Sequence, residues 1–203
     1  MIIELPGFQD SVHDSQSTFK ALLNALSRPG KVNKITANLT SPSSLNVGCA
    51  AACLTLFDLE TQVWLQPGLN EKVKNWLLFH TGCRFTEDTK QADFAIIWNI
   101  DNMPDLSRFK LGTPVYPEDS TTLLITVETN DIVGAKGFSP SSNKLPILTG
   151  AGINKQITIP IDLPNSFWKQ WQQNHDSYPL GVDIYFFFDN EVIGLPRTSS
   201  KQI

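Results

Sequence analysis

Cysteine is scarce in this 203-residue chain: Cys49, Cys53 and Cys83 are the full set. They are odd in number, and two of them sit inside an alanine-rich apolar stretch. Disulfide-stapled secreted folds are short and cysteine-dense, so reduced thiols in a cytosol are the expectation. Charge is thin as well. Lys, Arg, Asp and Glu make up 18% of residues, against roughly 25% in average domains, which hints at surface covered by a partner. The 16 basic and 20 acidic residues leave a net charge of −4 and a pI near 5.3. No basic run is present, whereas phosphate neutralisation needs a basic face; nucleic acid is excluded as the main ligand. Long apolar runs are missing too. The longest, Val47 to Phe57, contains Thr55 and stops far short of the ~20 residues of a membrane span. Met1 to Asp10 has no basic n-region and carries acid and proline too early for a signal peptide. A cytoplasmic location is expected.

What is present suffices for a core. Hydrophobic residues make up 41%, and a chain of this length buries roughly 70% of its unfolded surface. No repeat, heptad array or long linker divides the chain, so a single domain over 1–203 is expected. Phe19, Leu22, Leu23 and Leu26 form an apolar stripe on a first helix capped by Asp14 or Ser15 and ended by Pro29-Gly30. Lys31 to Thr36 reads as a short exposed strand, and Ser41 to Ser44 as a loop. A second helix from about Asn46 to Asp58 is apolar almost all round and should be buried on more than one side. Gln62 to Leu65 is a strand closed by Pro67-Gly68. Leu69 to Thr81 is a third helix, stopped by Gly82.

Asp93 to Trp98 is a continuous apolar run, the pattern of a strand covered on both faces. Met103 to Phe109 suggests a short helix, and Ser120 to Thr129 a further central strand. Residues Asp131 to Pro146 read as a loop or irregular hairpin, and Gln156 to Pro160 as a strand. Pro164 to Asn174 predicts a last helix anchored by Phe167, Trp168 and Trp171. Val182 to Phe188, the turn Asp189-Asn190, and Glu191 to Leu195 predict a hairpin. Helices alternate with strands and then strands dominate. That order favours a three-layer α/β domain with a mixed sheet and an antiparallel C-terminal part.

Few residues offer chemistry. Thr149-Gly150-Ala-Gly152-Ile153 could approach an anion closely through its glycines, or form a turn or tight packing site. It lacks the third glycine and the strand-to-helix setting of a dinucleotide loop. Cys49, Cys53, His80 and Cys83 match the ligand count of a tetrahedral zinc, although alanine and leucine neighbours suit plain core packing. His80 ends a helix, where a cation is favoured by the dipole. His13 and His175 have no nucleophile nearby in sequence, and no Gly-x-Ser-x-Gly elbow occurs. Pro196-Arg197-Thr198-Ser199 carries one of only four arginines. It suits capture of a carboxylate or phosphate, a subunit contact, or an internal ion pair. No lysine lies in an apolar run as a Schiff-base lysine requires, though Lys144 and Lys155 flank the glycine pair. Trp168 and Trp171, three apart on a helix, are the expected protein–protein hot spot.

Taken in order, several segments carry a likeness. Phe19-Lys-Ala-Leu-Leu23, Ser27-Arg-Pro-Gly30, Leu54-Thr-Leu56 with Asp58, and Val63-Trp-Leu65 mark the first half. Phe79-His-Thr81, Leu148-Thr-Gly-Ala-Gly-Ile153, Tyr178-Pro-Leu-Gly-Val-Asp183 and Leu195-Pro-Arg-Thr198 follow. This collinear series, from about Phe8 to Thr198, resembles the PhnH family, the H subunit of the bacterial carbon–phosphorus lyase core complex. Tyr178 replaces an expected Phe. Leu78 replaces an expected Arg, which removes a positive charge beside His80.

The resemblance implies growth on organophosphonates. With the G, I and J subunits, such proteins form the assembly that couples methylphosphonate to the ribose of ATP, displacing adenine. The product is α-D-ribose 1-methylphosphonate 5-triphosphate. The nucleosidase-type chemistry falls to the I subunit, and carbon–phosphorus cleavage to the iron–sulfur J subunit. For the H subunit the resemblance implies a homodimer with a fold similar to the large domain of PLP-dependent transferases, using no cofactor. The leading expectation is therefore an accessory subunit without catalytic residues of its own. The alternative is an independent enzyme holding a phosphorylated ligand through Gly150, Gly152 and Arg197, with Thr149, Thr198 and His80 as further candidates. A free PLP enzyme ranks third.

Overall fold

A computed structural model describes residues 6–127 and 145–202. The segments that form its main sheet are β1 (Asn33–Lys34), β2 (Gln62–Leu65), β3 (Arg84–Thr86), β4 (Phe94–Ile97), β5 (Thr122–Thr126), β8 (Asp183–Phe188) and β9 (Glu191–Leu195). Their order is β1-β9-β8-β5-β4-β2-β3. The run from β3 to β8 is parallel throughout, while β9 runs antiparallel to β8 and β1 antiparallel to β9. A small antiparallel sheet is built from β6 (Ile147–Gly150), β7 (Ile157–Thr158) and β10 (Ser199–Lys201). The expected α/β class with a mixed sheet and an antiparallel C-terminal part is what forms.

Strand periodicity sends neighbouring residues into two cores. Val63, Ile96, Leu124 and Phe187 point to one face, covered by α1 (Ser11–Ser27), α2 (Val47–Leu56) and α3 (Glu71–Thr81). Trp64, Ile97, Leu123 and Phe186 point to the other, covered by α4 (Asn165–Asp176), Phe109 and Leu148 of the small sheet. Because β4 and β5 are buried on both faces, they read as unbroken apolar runs.

The second helix behaves as its composition demands: Gly48 through Cys53 are all buried. Gly48 lets its first turn sit on the β8–β9 hairpin, where its N–H donates to the Asp189 carbonyl at 2.9 Å. Asp189 itself takes φ 49° at the turn, a conformation that Asp tolerates better than most residues. Gly82 closes α3 in the left-handed conformation, φ 68°.

The first helix corrects the sequence reading. It begins earlier, capped by the Asp10 carboxylate accepting from the His13 N–H, and its buried face is Thr18, Ala21, Leu22 and Ala25. Phe19 and Leu23 are exposed. The cause is Gly194 on β9, where a Cβ would lie 2.4 Å from the Ala25 carbonyl oxygen. The helix backbone rests directly on the strand, so Ala21 and Ala25 face inward beside Leu22, Leu26 packs at the margin, and only Phe19 and Leu23 of the expected stripe turn outward.

Other segments differ as well. The expected Met103–Phe109 helix shrinks to a single turn at Leu106–Arg108, preceded by another at Ile100–Asn102. The first strand is shorter than expected. The loop expected over 131–146 falls outside the described residues except for its last two, as do Lys144 and the end of the strand expected over 120–129. Trp168 and Trp171 are 5% and 0% exposed, which overturns their reading as a protein–protein hot spot. They anchor α4 on the small sheet instead, and Trp171 Nε1 donates to the Ser199 carbonyl at 2.9 Å.

Cys49, Cys53 and Cys83 are buried free thiols in the helical core. Burial first, then the Cys49 side chain, pushes the Cys53 thiol well above its ordinary range, and burial also raises Cys83. A thiol disulfide reagent at neutral pH should label none of the three in the native protein, and all three after denaturation in urea. Placing valine at Gly194 should lift α1 from β9 and cost about 1–3 kcal/mol or more, read as a lower urea midpoint.

Candidate functional site

Arg197 stands just past β9 and is the most heavily bonded side chain among the described residues. Its Nε and Nη2 donate to the Asp183 carboxylate, Nη2 at 2.6 Å. Nη2 also donates to Ser120 Oγ. Nη1 donates to the carbonyls of Pro117 at 2.9 Å and Pro179 at 3.3 Å. Every N–H of the guanidinium fork is used. The main chain adds two more ties: the Arg197 N–H donates to Asp183 Oδ1 at 2.7 Å, and its carbonyl lies 2.9 Å from His175 Nδ1. Of the roles the sequence left open for Arg197, the internal ion pair is the one seen.

The ion pair sits where β5 and β8 begin. Asp183 is the first residue of β8, and its register partner Thr122 is the first of β5. Next to it, the buried Asn174 side chain closes both hydrogen bonds on Val182, joining the end of α4 to the same strand. Tyr185, two residues along β8, is pushed above its ordinary value by burial and then by Asp183. It is a neutral phenol in the core.

The glycine segment lies close by. Gly150 is opposite Ser199 in the β6–β10 pairing, and Thr149 opposite Ser200. A Cβ at Gly150 would lie 2.3 Å from the Thr198 carbonyl oxygen, and one at Gly152 2.2 Å from that of Ser27. Both glycines have positive φ, 135° and 79°. Their lack of a side chain thus serves close approach of the chain to itself. Thr149 and Gly150 meet the Thr198–Ser200 segment, the Arg197 side chain turns to Asp183 and Ser120 instead, and Gly152 leans on the end of α1.

His80 is elsewhere. It belongs to α3, on the opposite face of the sheet, with its ring edge-on to Trp76 and Phe79. A Cβ at Gly7 would sit 3.0 Å from its Nδ1. Among the described residues, no three His, Cys, Asp or Glu side chains gather as metal ligands. None of the described helices is long and apolar enough to cross a membrane.

One groove was not foreseen. Connections leave β2 and β4 in opposite directions along the sheet, so their carboxyl ends flank a topological switch point, the usual crevice of open α/β sheets. A groove of about 420 Å³ opens beside it, lined by Trp64, Gly68, Lys74, Phe85 and Glu87 among others. The floor is braced by the buried Gln66, whose Oε1 accepts from the N–H groups of Trp98 and Asn99 and whose Nε2 donates to the Asn99 carbonyl. Lys74 Nζ is 5.5 Å from the centre of the Phe85 ring. No motif marks this groove, which lies between the ends of β2 and β3 and the start of α3.

These features define a mixed-sheet α/β protein in which the arginine, the glycine pair and the thiols serve the packing of the chain on itself. Residues 6–202 match the family described as bacterial phosphonate metabolism protein (PhnH). The chain belongs to that family. It is 34% identical over 197 residues, 96% of its own length and 94% of the relative's, to the alpha-D-ribose 1-methylphosphonate 5-triphosphate synthase subunit PhnH of Rhizobium meliloti (strain 1021).

Removing one member of a largely buried ion pair leaves the other unpaired, at about 3–5 kcal/mol. Arg197→Ala should show a loss near that size in urea unfolding. Arg197→Lys should recover only part, because an ammonium cannot form the fork to Asp183 and both carbonyls.

Proposed function

We propose that this protein is an accessory subunit of an α-D-ribose 1-methylphosphonate 5-triphosphate synthase complex in organophosphonate catabolism. One observation carries the reading: nearly the whole chain aligns with nearly the whole of a protein named as a subunit of that synthase. Its partners are the G, I and J subunits and a second copy of itself, and its location is the cytoplasm. The transferase and lyase chemistry belongs to those partners. The internal commitment of Arg197, Gly150 and Gly152 supports that division of labour.

We propose further that residues 1–203 form one domain with the fold of the large domain of PLP-dependent transferases. Two cores sharing one sheet, and five parallel strands continuing into antiparallel ones, support this.

Co-expression with the G, I and J subunits should give one co-purifying assembly; a monodisperse chain that never joins them would refute the reading. The chain alone should show no thermal shift with ATP, ribose phosphates or phosphonates. A ligand at 100 times its dissociation constant would add about 2.7 kcal/mol, so a clear shift would favour the independent-enzyme reading.

A further inference from the structure

Two segments far apart in sequence meet at Arg197 and place apolar side chains in water. The guanidinium holds the carbonyls of Pro117 and Pro179, and the residue before each proline is an exposed tyrosine. Tyr116 is 57% exposed, Tyr178 61%, and Val115 beside them 74%. Neither segment hangs loose. The Thr113 N–H donates to the Tyr116 carbonyl, the Asp119 N–H to the same carbonyl, and the Tyr116 N–H to Thr113 Oγ1. On the other side, the Tyr178 N–H donates to the His175 carbonyl, and the Gly181 N–H to the Leu111 carbonyl at 2.9 Å. Two tyrosines carried on so bonded a backbone lose little further freedom on binding, and tyrosine is among the residues that dominate interface energetics.

Charge selects the partner. Residues 111–122 and 172–183 contain no lysine or arginine. Their acids are Glu118, Asp119, Asp176 and Asp183, and only Asp183 is neutralised, by Arg197. Glu118, Asp119 and Asp176 are exposed around the tyrosines. Two copies of this face brought together across a two-fold axis would set acid against acid, which is costly. A basic rim on a different chain would be complementary.

We propose that Val115, Tyr116 and Tyr178, with their acidic rim, are the docking face for a neighbouring, non-identical subunit that offers an apolar surface ringed by lysine or arginine. The inference rests on the subunit reading above and goes beyond it by naming the face and the chemistry of its occupant. Arg197 acts here as a positioning residue.

The test uses the full chain co-expressed with the remaining synthase subunits. The double variant Tyr116→Ser/Tyr178→Ser should lose at least about tenfold in captured partner subunits, with an unchanged urea midpoint and unchanged sedimentation of the chain alone. Glu118→Lys/Asp119→Lys should weaken assembly at low salt, with the deficit shrinking at high salt; because both acids are exposed, it also covers a tyrosine variant that folds poorly. Phe19→Ser/Leu23→Ser, on the exposed side of α1, is the comparison face and should assemble as wild type does. Normal assembly of the tyrosine variant overturns this inference while the subunit reading stands. Tighter assembly of the lysine variant overturns the basic partner. A change in the self-association of the tyrosine variant assigns the face to a second copy and overturns it too. Failure of the wild type to assemble removes the subunit reading, and this face with it.

Discussion

The Arg197–Asp183 ion pair is the constraint on which the C-terminal third of the molecule depends. A charge pair largely removed from water is favourable only when its remaining donors are also satisfied. Here that condition draws in Ser120, Pro117 and Pro179, so the starts of β5 and β8, the turn before β5 and the loop after α4 are fixed together. The Arg197 main chain is held by Asp183 and His175, which sets the direction in which the chain leaves β9. Two residues later it enters β10 beside β6. Gly150 of β6 follows from this path, since the Thr198 carbonyl passes where its side chain would be.

Elements whose whole environment is local were legible in the sequence. The apolar strand at Phe94–Ile97, the alanine-rich α2 and the Asp189-Asn190 hairpin announce themselves by period and by turn residues. Features that depend on a distant residue were not. The inward face of α1 is rotated by a glycine on β9: Leu22 and Leu26 of the expected stripe keep to the core side, while Phe19 and Leu23 do not. Burial of Trp168 and Trp171 depends on a β10 strand too short and polar to be read. The partners of Arg197 lie 14, 77 and 80 positions away, and no spacing rule reaches that far. The groove joins the ends of β2 and β3 to the start of α3, a juxtaposition made by the fold and marked by no motif.

Four of the segments that carried the family likeness meet in pairs. Tyr178-Pro-Leu-Gly-Val-Asp183 and Leu195-Pro-Arg-Thr198 supply the two halves of the ion pair. Leu148-Thr-Gly-Ala-Gly-Ile153 leans on Ser27-Arg-Pro-Gly30, with Gly152 against Ser27 and Pro29. Those motifs act as joints of the framework. Of the candidate residues, Thr149, Gly150 and Thr198 lie along the β6–β10 pairing, and Gly152 meets the end of α1. The Arg197 guanidinium is spent on Asp183, Ser120 and two carbonyls, and His80 lies on the other face of the sheet.

The brevity of β1 and β3 has a consequence for how the molecule associates. The main sheet ends on one side in a strand of two residues and on the other in one of three, with Lys34 and Arg84 exposed there. Short, charged edges are poor templates for a further strand from another chain. Backbone addition at the described edges of this sheet is disfavoured, and larger architecture is to be read from side-chain relief.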